Sequence, residues 1–145
     1  MRIVIASDHG GYEYKQKFIA HLTDKYEIRD LGPHDDASVD YPDYAHKLCT
    51  YIPNDADMGI LLCGTGIGMS IVANRYNNIR AALCKDEESA CLARQHNDAN
   101  VLALGERVVG SIQAIDCVQA FLDTPFAGGR HQKRIDKLSN PKLES

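Results

Sequence analysis

The sequence lacks any excess of positive charge: 16 Lys and Arg stand against 20 Asp and Glu, a formal net charge of −4. No global field therefore draws the chain to nucleic acid or anionic lipid, although a local basic cluster can still hold a small anion. There is no apolar stretch of signal-peptide length before the strand-like Arg2–Ser7, and no later run approaches the roughly 18 apolar residues of a membrane span. These absences lead to the expectation of a soluble, cytoplasmic protein without a membrane partner. Five cysteines, at positions 49, 63, 84, 91 and 117, are odd in number and include no Cys-x-x-Cys pair, which argues against both a secreted disulfide framework and a zinc site. The six histidines form no ligand spacing, and the acidic loop "PHDDASVD" reads as exposed, so neither a metal nor a cofactor is expected. No repeat, linker or low-complexity tract divides the 145 residues, a length that suits one domain of roughly 100–150 residues.

What is present is an alternation of short apolar runs with stretches of helical spacing. "RIVIA" ends at Ser7-Asp8-His9-Gly10-Gly11 and is followed by the helical "YEYKQKFIAHL". "YEIRDLG" is a second strand, and "DYAHKLCTYI" resumes helical spacing after Pro42, a residue suited to a helix start. The pattern repeats with "MGILLC", the turn "GTGIG" and the helix "MSIVANRY". "IRAALC", "DEESACLARQHN", "NVLALG" and "SIQAIDCVQAFLDT" complete five strands and five helices. Consecutive apolar residues in strands predict burial on both faces, hence a doubly wound α/β domain with five parallel strands and helices on both faces. The chain is one domain over residues 1–145, in which 125–145 form a C-terminal helical arm, "FAGGRHQKRIDKL" behind a glycine joint, docking on a partner subunit.

In open α/β sheets, ligands collect outside the carboxyl ends of the strands, where strand order reverses. That rule selects Asp8 to Gly11, Cys63 to Gly68, Lys85 and Asp86, and Gly105 to Arg107. Cys63 stands just before a helix whose first N–H groups are unpaired, so the dipole favours a thiolate. The same N–H groups, on a backbone that the glycines leave open to close approach, suit an oxyanion. Base and anion hole on one turn match removal of a proton alpha to a carbonyl, with Thr65 as a hydroxyl donor. The opposing readings are an inert buried cysteine in a tight connection, and a nucleotide-binding module in which Asp86 or Glu87 serves a ribose. The latter fails on glycine spacing, since Met69 occupies the third glycine's place, and on the mid-chain position of the turn. Asp8 and His9 either bind sugar oxygens and phosphate or cap a helix start. His96 is either a catalytic group or a charge partner for a helix end. Arg130 and Arg134 share a helical face, as a solvated surface or as a phosphate clamp.

"ASDHGGYEYK", "DYPDYA", "CGTGIGMSIVANR", "RQHNDANVLALGERVVG" and "GGRHQKRI", in that order along nearly the whole chain, resemble the type B ribose-5-phosphate isomerases, a family that includes the galactose-6-phosphate isomerase subunits. The resemblance implies a metal-free aldose–ketose isomerase that interconverts ribose 5-phosphate and ribulose 5-phosphate through ring opening and a cis-enediolate. It implies a Rossmann-like domain that forms a homodimer, in some members a tetramer, with the site between subunits. Carried over by position, Cys63 is the base, assisted by Thr65, and His96 promotes ring opening. Gly64, Gly66, Ile67 and Gly68 supply the anion hole, Asp8 binds the sugar oxygens, and Asn97 touches the reacting end. His9, Arg107, Arg130 and Arg134 surround the phosphate, some from the partner chain, and Tyr41 lines the pocket. Galactose 6-phosphate and allose 6-phosphate are the alternative substrates.

Overall fold

A computed structural model describes residues 1–140; the last five residues of the expected arm, 141–145, lie outside the described residues. Five strands, β1 (Arg2–Ser7), β2 (Glu27–Asp30), β3 (Met58–Cys63), β4 (Ala81–Leu83) and β5 (Val101–Gly105), form one sheet in the order β2-β1-β3-β5-β4. Every pairing is parallel. Six helices connect or follow them: α1 (Tyr12–Leu22), α2 (Tyr41–Cys49), α3 (Ile67–Ala73), α4 (Glu87–Asn97), α5 (Ser111–Asp123) and α6 (Arg130–Ile135). No helix of the described residues is long and apolar enough to cross a membrane.

The period-2 geometry of a strand sends successive side chains to opposite faces, and the central strands use both. Ile3, Ile5, Ile60, Leu62, Leu102 and Leu104 pack with Phe18 and Leu22 of α1 and with α4 and α5. Val4, Ala6, Leu61, Cys63, Val101 and Ala103 pack with Ala45 and Leu48 of α2 and with Met69 and Ala73 of α3. The register aligns Ile5 with Ile60 and Ile60 with Leu102, so each row of apolar side chains runs across three strands. The expectation of burial on both faces holds for these three strands and fails for β2 and β4, which are the sheet edges. β2 alternates exposed with half-buried residues, and β4 shrinks from the six-residue "IRAALC" to three residues with Leu83 exposed. Short edges of this kind offer little unpaired backbone to another chain.

Helix ends follow local chemistry. Pro42 sits in the first turn of α2, where its missing N–H loses no bond. Asp86 caps α4 in a reciprocal capping box with Ser89. Lys15, which has no exposed surface, reaches from α1 to Asp30 at the end of β2 with Nζ 2.7 Å from both carboxylate oxygens. Asp30 also accepts the N–H of Gly32 (2.8 Å), and Gly32 O accepts the N–H of Ser7 (3.1 Å). A buried ion pair thus ties the loop after β2 to the carboxyl end of β1.

Candidate active site

The sheet order reverses between β1 and β3, and the loops at their carboxyl ends meet there. β3 ends at Cys63, and the chain then crosses Gly64, Thr65 and Gly66 into α3, which starts at Ile67, two residues before the expected Met69. Gly66 holds φ +79° as the residue before α3. A Cβ there would lie 2.6 Å from Leu83 Cδ1 and 2.9 Å from the backbone carbon of Leu104, so both the dihedral and the space require glycine. The payoff of this bend is local: Gly66 N–H donates to the Cys63 sulfur at 3.0 Å, and Ile67 N–H donates to Thr65 Oγ1 at 3.3 Å. Among the described residues the amides of Gly64, Thr65 and Gly68 have no acceptor within the chain. The turn therefore holds a buried sulfur and three N–H groups without an acceptor among the described residues.

Three other elements close around it. Asp8 N–H donates to Leu62 O (3.1 Å), while the Asp8 carboxylate accepts Gly11 N–H at 3.1 Å; the capping reading of Asp8 is thus realised with the residue at the site rim. His9 Nδ1 accepts Val39 N–H at 3.2 Å, which leaves the proton of a neutral ring on Nε2 as a donor. From β5, Glu106 N–H donates to Cys63 O (3.0 Å) and Arg107 N–H to Gly64 O (2.9 Å). The Arg107 guanidinium lies over Gly64, where a Cβ would be 3.2 Å from Nη1. The Tyr41 ring, from the start of α2, lies closer still over Gly68, where a Cβ would be 2.6 Å from Cε2. Asp8, His9, Tyr41, Cys63, Thr65, Arg107 and the turn glycines are thus brought together in one chain.

His96, Asn97, Arg130 and Arg134 are brought together elsewhere. His96 and Asn97 end α4, and the chain passes through Asp98 to Asn100 before β5 begins at Val101. Cys63 is aligned with Gly105 at the other end of β5, so at about 3.3 Å per residue the two clusters are on the order of 15 Å apart along the sheet. Ala127 N–H donates to Gln95 O (3.1 Å) and brings the arm back against α4. There His96, Asn97, Arg130, His131 and Arg134 line a hollow of about 380 Å³. The ring of His131 stacks on that of His96, with centroids 4.4 Å apart and planes 16° from parallel. Burial lowers the His131 pKa from its ordinary value, and the neighbouring His96, Arg130 and Arg134 lower it further.

Sequence reading passes over His131, and it selects Glu106 only by its place after a strand end, without a role. His131 stands inside "GGRHQKRI", but its partner is 35 positions away and no spacing announces a stack across that distance. The Glu106 carboxylate accepts Tyr14 N–H at 2.7 Å and so holds the start of α1. Burial raises its pKa despite that bond, and Glu13 and Asp8 add to the rise. Burial pushes the Cys49 and Cys84 thiols up to about 11 and the Cys117 thiol to about 12, so these three stay protonated at neutral pH. The nucleotide alternative loses its acid, because the Asp86 carboxylate is engaged with Ser89 N–H (2.8 Å) and faces a hollow lined by Glu87, Glu88 and Asp116, hostile to phosphates. Among the described residues no three His, Cys, Asp or Glu side chains gather as a metal site.

A sulfur at a strand end, bonded within a glycine turn, suits the transfer of a proton next to a carbonyl. A family model described as Ribose/Galactose Isomerase matches residues 3–138. The ribose-5-phosphate isomerase B of Escherichia coli strain K12 is 43% identical over 140 residues, covering 95% of this chain and 94% of that protein. The structure of Clostridium thermocellum ribose-5-phosphate isomerase B superposes with a TM-score of 0.94 at 48% identity, over 96% of this chain and 95% of that one. The ribose 5-phosphate isomerase structure from Thermotoga maritima gives 0.92 at 54% identity, over 95% and 97%.

Proposed function

The chain belongs to the ribose/galactose isomerase family, and from that membership we propose that it is an aldose–ketose isomerase interconverting ribose 5-phosphate and ribulose 5-phosphate. The observation that carries the chemistry is the turn after β3, where Cys63 Sγ accepts Gly66 N–H beside the free amides of Gly64, Thr65 and Gly68. His96 passes a proton to the ring oxygen as the C1 hydroxyl loses its own, and the furanose opens to the aldehyde. The Cys63 thiolate takes the proton from C2, and the electron pair moves to O1, giving a cis-enediolate held by the turn amides and by Thr65. The thiol returns its proton to C1 while O2 gives up its hydrogen to O1, and ribulose 5-phosphate results. His9 and Arg107 hold the phosphate with Arg130 and Arg134, since forked guanidinium groups match phosphate oxygens. Asp8 and Asn97 bind the sugar oxygens, and Tyr41 walls the pocket. No step in this route calls for a metal or a cofactor.

One chain keeps Cys63 and His96 at opposite ends of the sheet, so the reading needs a second copy. α3 supports how it is placed. This helix starts at the Cys63 turn and ends at Ala73, and the next residue, Asn74, lines a hollow with Asn97. Between the two ends, Ile67 and Ile71, one turn apart, are 51% and 53% exposed. A two-fold axis that lays α3 antiparallel on its counterpart covers this apolar stripe and carries each copy's His96, Asn97, Arg130 and Arg134 to the other's Cys63 turn. The active unit is accordingly a homodimer.

The test is turnover of ribose 5-phosphate, allose 6-phosphate and galactose 6-phosphate by the purified single chain, with folded Cys63→Ala assayed beside it. Turnover of ribose 5-phosphate that vanishes in the variant supports the reading. Preference for a six-carbon substrate moves it to the alternative sugars, and tight NAD or AMP binding without any turnover refutes it.

A further inference from the structure

We propose that His131 is a positioning residue for His96: its ring is the platform that fixes the plane of the His96 imidazole. The inference rests on the isomerase reading given above. Among the described residues no hydrogen bond fixes either ring, and the stack at 4.4 Å and 16° is what orients His96. Two imidazolium rings cannot share that stack beside Arg130 and Arg134, and all four groups line one hollow. His131 is the member whose charge is disfavoured, first by burial and then by His96, Arg130 and Arg134. His131 also belongs to the arm and His96 to the body of the domain, so the stack couples the catalytic imidazole to the seating of the two phosphate-binding arginines. Bringing the phosphate to Arg130 and Arg134 thereby presses the platform onto His96.

The full chain is compared as wild type, His131→Ala and His131→Phe, by steady-state kinetics on ribose 5-phosphate and by the NMR signal of the His96 ring. α6 buries no residue, so both variants are expected to fold. His131→Ala is expected to lower kcat by about ten- to a hundredfold with KM little changed, the scale of a misplaced catalytic group. His131→Phe, which restores the platform without a titrating group, is expected to recover most of that loss. The upfield ring-current shift of His96 is expected to survive in Phe and disappear in Ala. Equal losses in both variants, a rise in KM with kcat unchanged, or an unmoved His96 signal in His131→Ala would each overturn the proposal. Should the wild type not turn over ribose 5-phosphate, the isomerase reading fails on its own, and the NMR signal still decides whether His131 orients His96.

Discussion

The turn from Cys63 to Gly68 and the cluster formed by the end of α4 with the arm contribute equally to the proposed chemistry, yet they are built by opposite means. The turn is mostly backbone: its carbonyls at Cys63 and Gly64 accept from Glu106 and Arg107, and its neighbours stand too close to admit a Cβ at Gly66 or Gly68. It is welded into the sheet and needs nothing else to take its shape. The other cluster is made of side chains on a helix end and on a six-residue helix with no buried residue. A stacked pair of rings, the Ala127–Gln95 bond and a bond from Ser139 Oγ to Asn77 O (3.3 Å) attach it to the body. Under the proposed function, one half of the site is preorganised by the fold and the other is completed by a second copy.

The contrast predicts where damage is severe. Cys63→Ala removes the proton carrier from the rigid half and is expected to lower kcat by about 10²- to 10⁴-fold without unfolding the chain, checked by kinetics alongside thermal melting. The division between halves is itself testable by mixing two dead proteins, Cys63→Ala and His96→Ala, after dissociation. Random reassociation gives mixed dimers in which one of two sites is intact, and about a quarter of wild-type activity is expected to return. No recovery, with mixed dimers demonstrated, would place both groups in one chain's site and break the comparison.

Smaller effects separate scaffold from clamp. Gly66→Ala forces φ +79° on a residue with a Cβ and crowds Leu83 and the Leu104 backbone; a loss of about 2 kcal/mol of stability is expected, read from denaturant midpoints, with activity falling at the same time. Arg134→Ala lies in the lightly attached half and is expected to leave the melting temperature unchanged. It raises KM by about tenfold with kcat nearly preserved, because phosphate contacts contribute binding more than chemistry. An unchanged KM would remove the arm from the site.

Much of the fold was legible because its signals are local. α1 covers the stretch expected for it, β3 is "MGILLC" itself, and α5 differs by one residue at its end. The larger misreadings fall on the edge strands β2 and β4, since strand periodicity does not say which neighbour is missing, and α2 and α3 each start two residues earlier than expected. For the site, Cys63 and its glycines could be singled out from residue type and position alone. His131 could not, since its meaning comes from a ring 35 positions away, and neither could the tie between Lys15 and Asp30, which closes a polar pair inside the core.

The alternation of elements, a cysteine at a strand end before a glycine turn, and two arginines on one helical face were determined by the sequence by itself, because backbone periodicity and dihedral preference act over a few residues. Only the tertiary structure decided that β5 lies between β3 and β4, that Arg107 covers Gly64 and Tyr41 covers Gly68, and that His96 lies at the far end of the sheet from Cys63. Those outcomes depend on which strand order buries the apolar rows most completely. That choice is made by the whole chain at once, so no short stretch of it carries the answer.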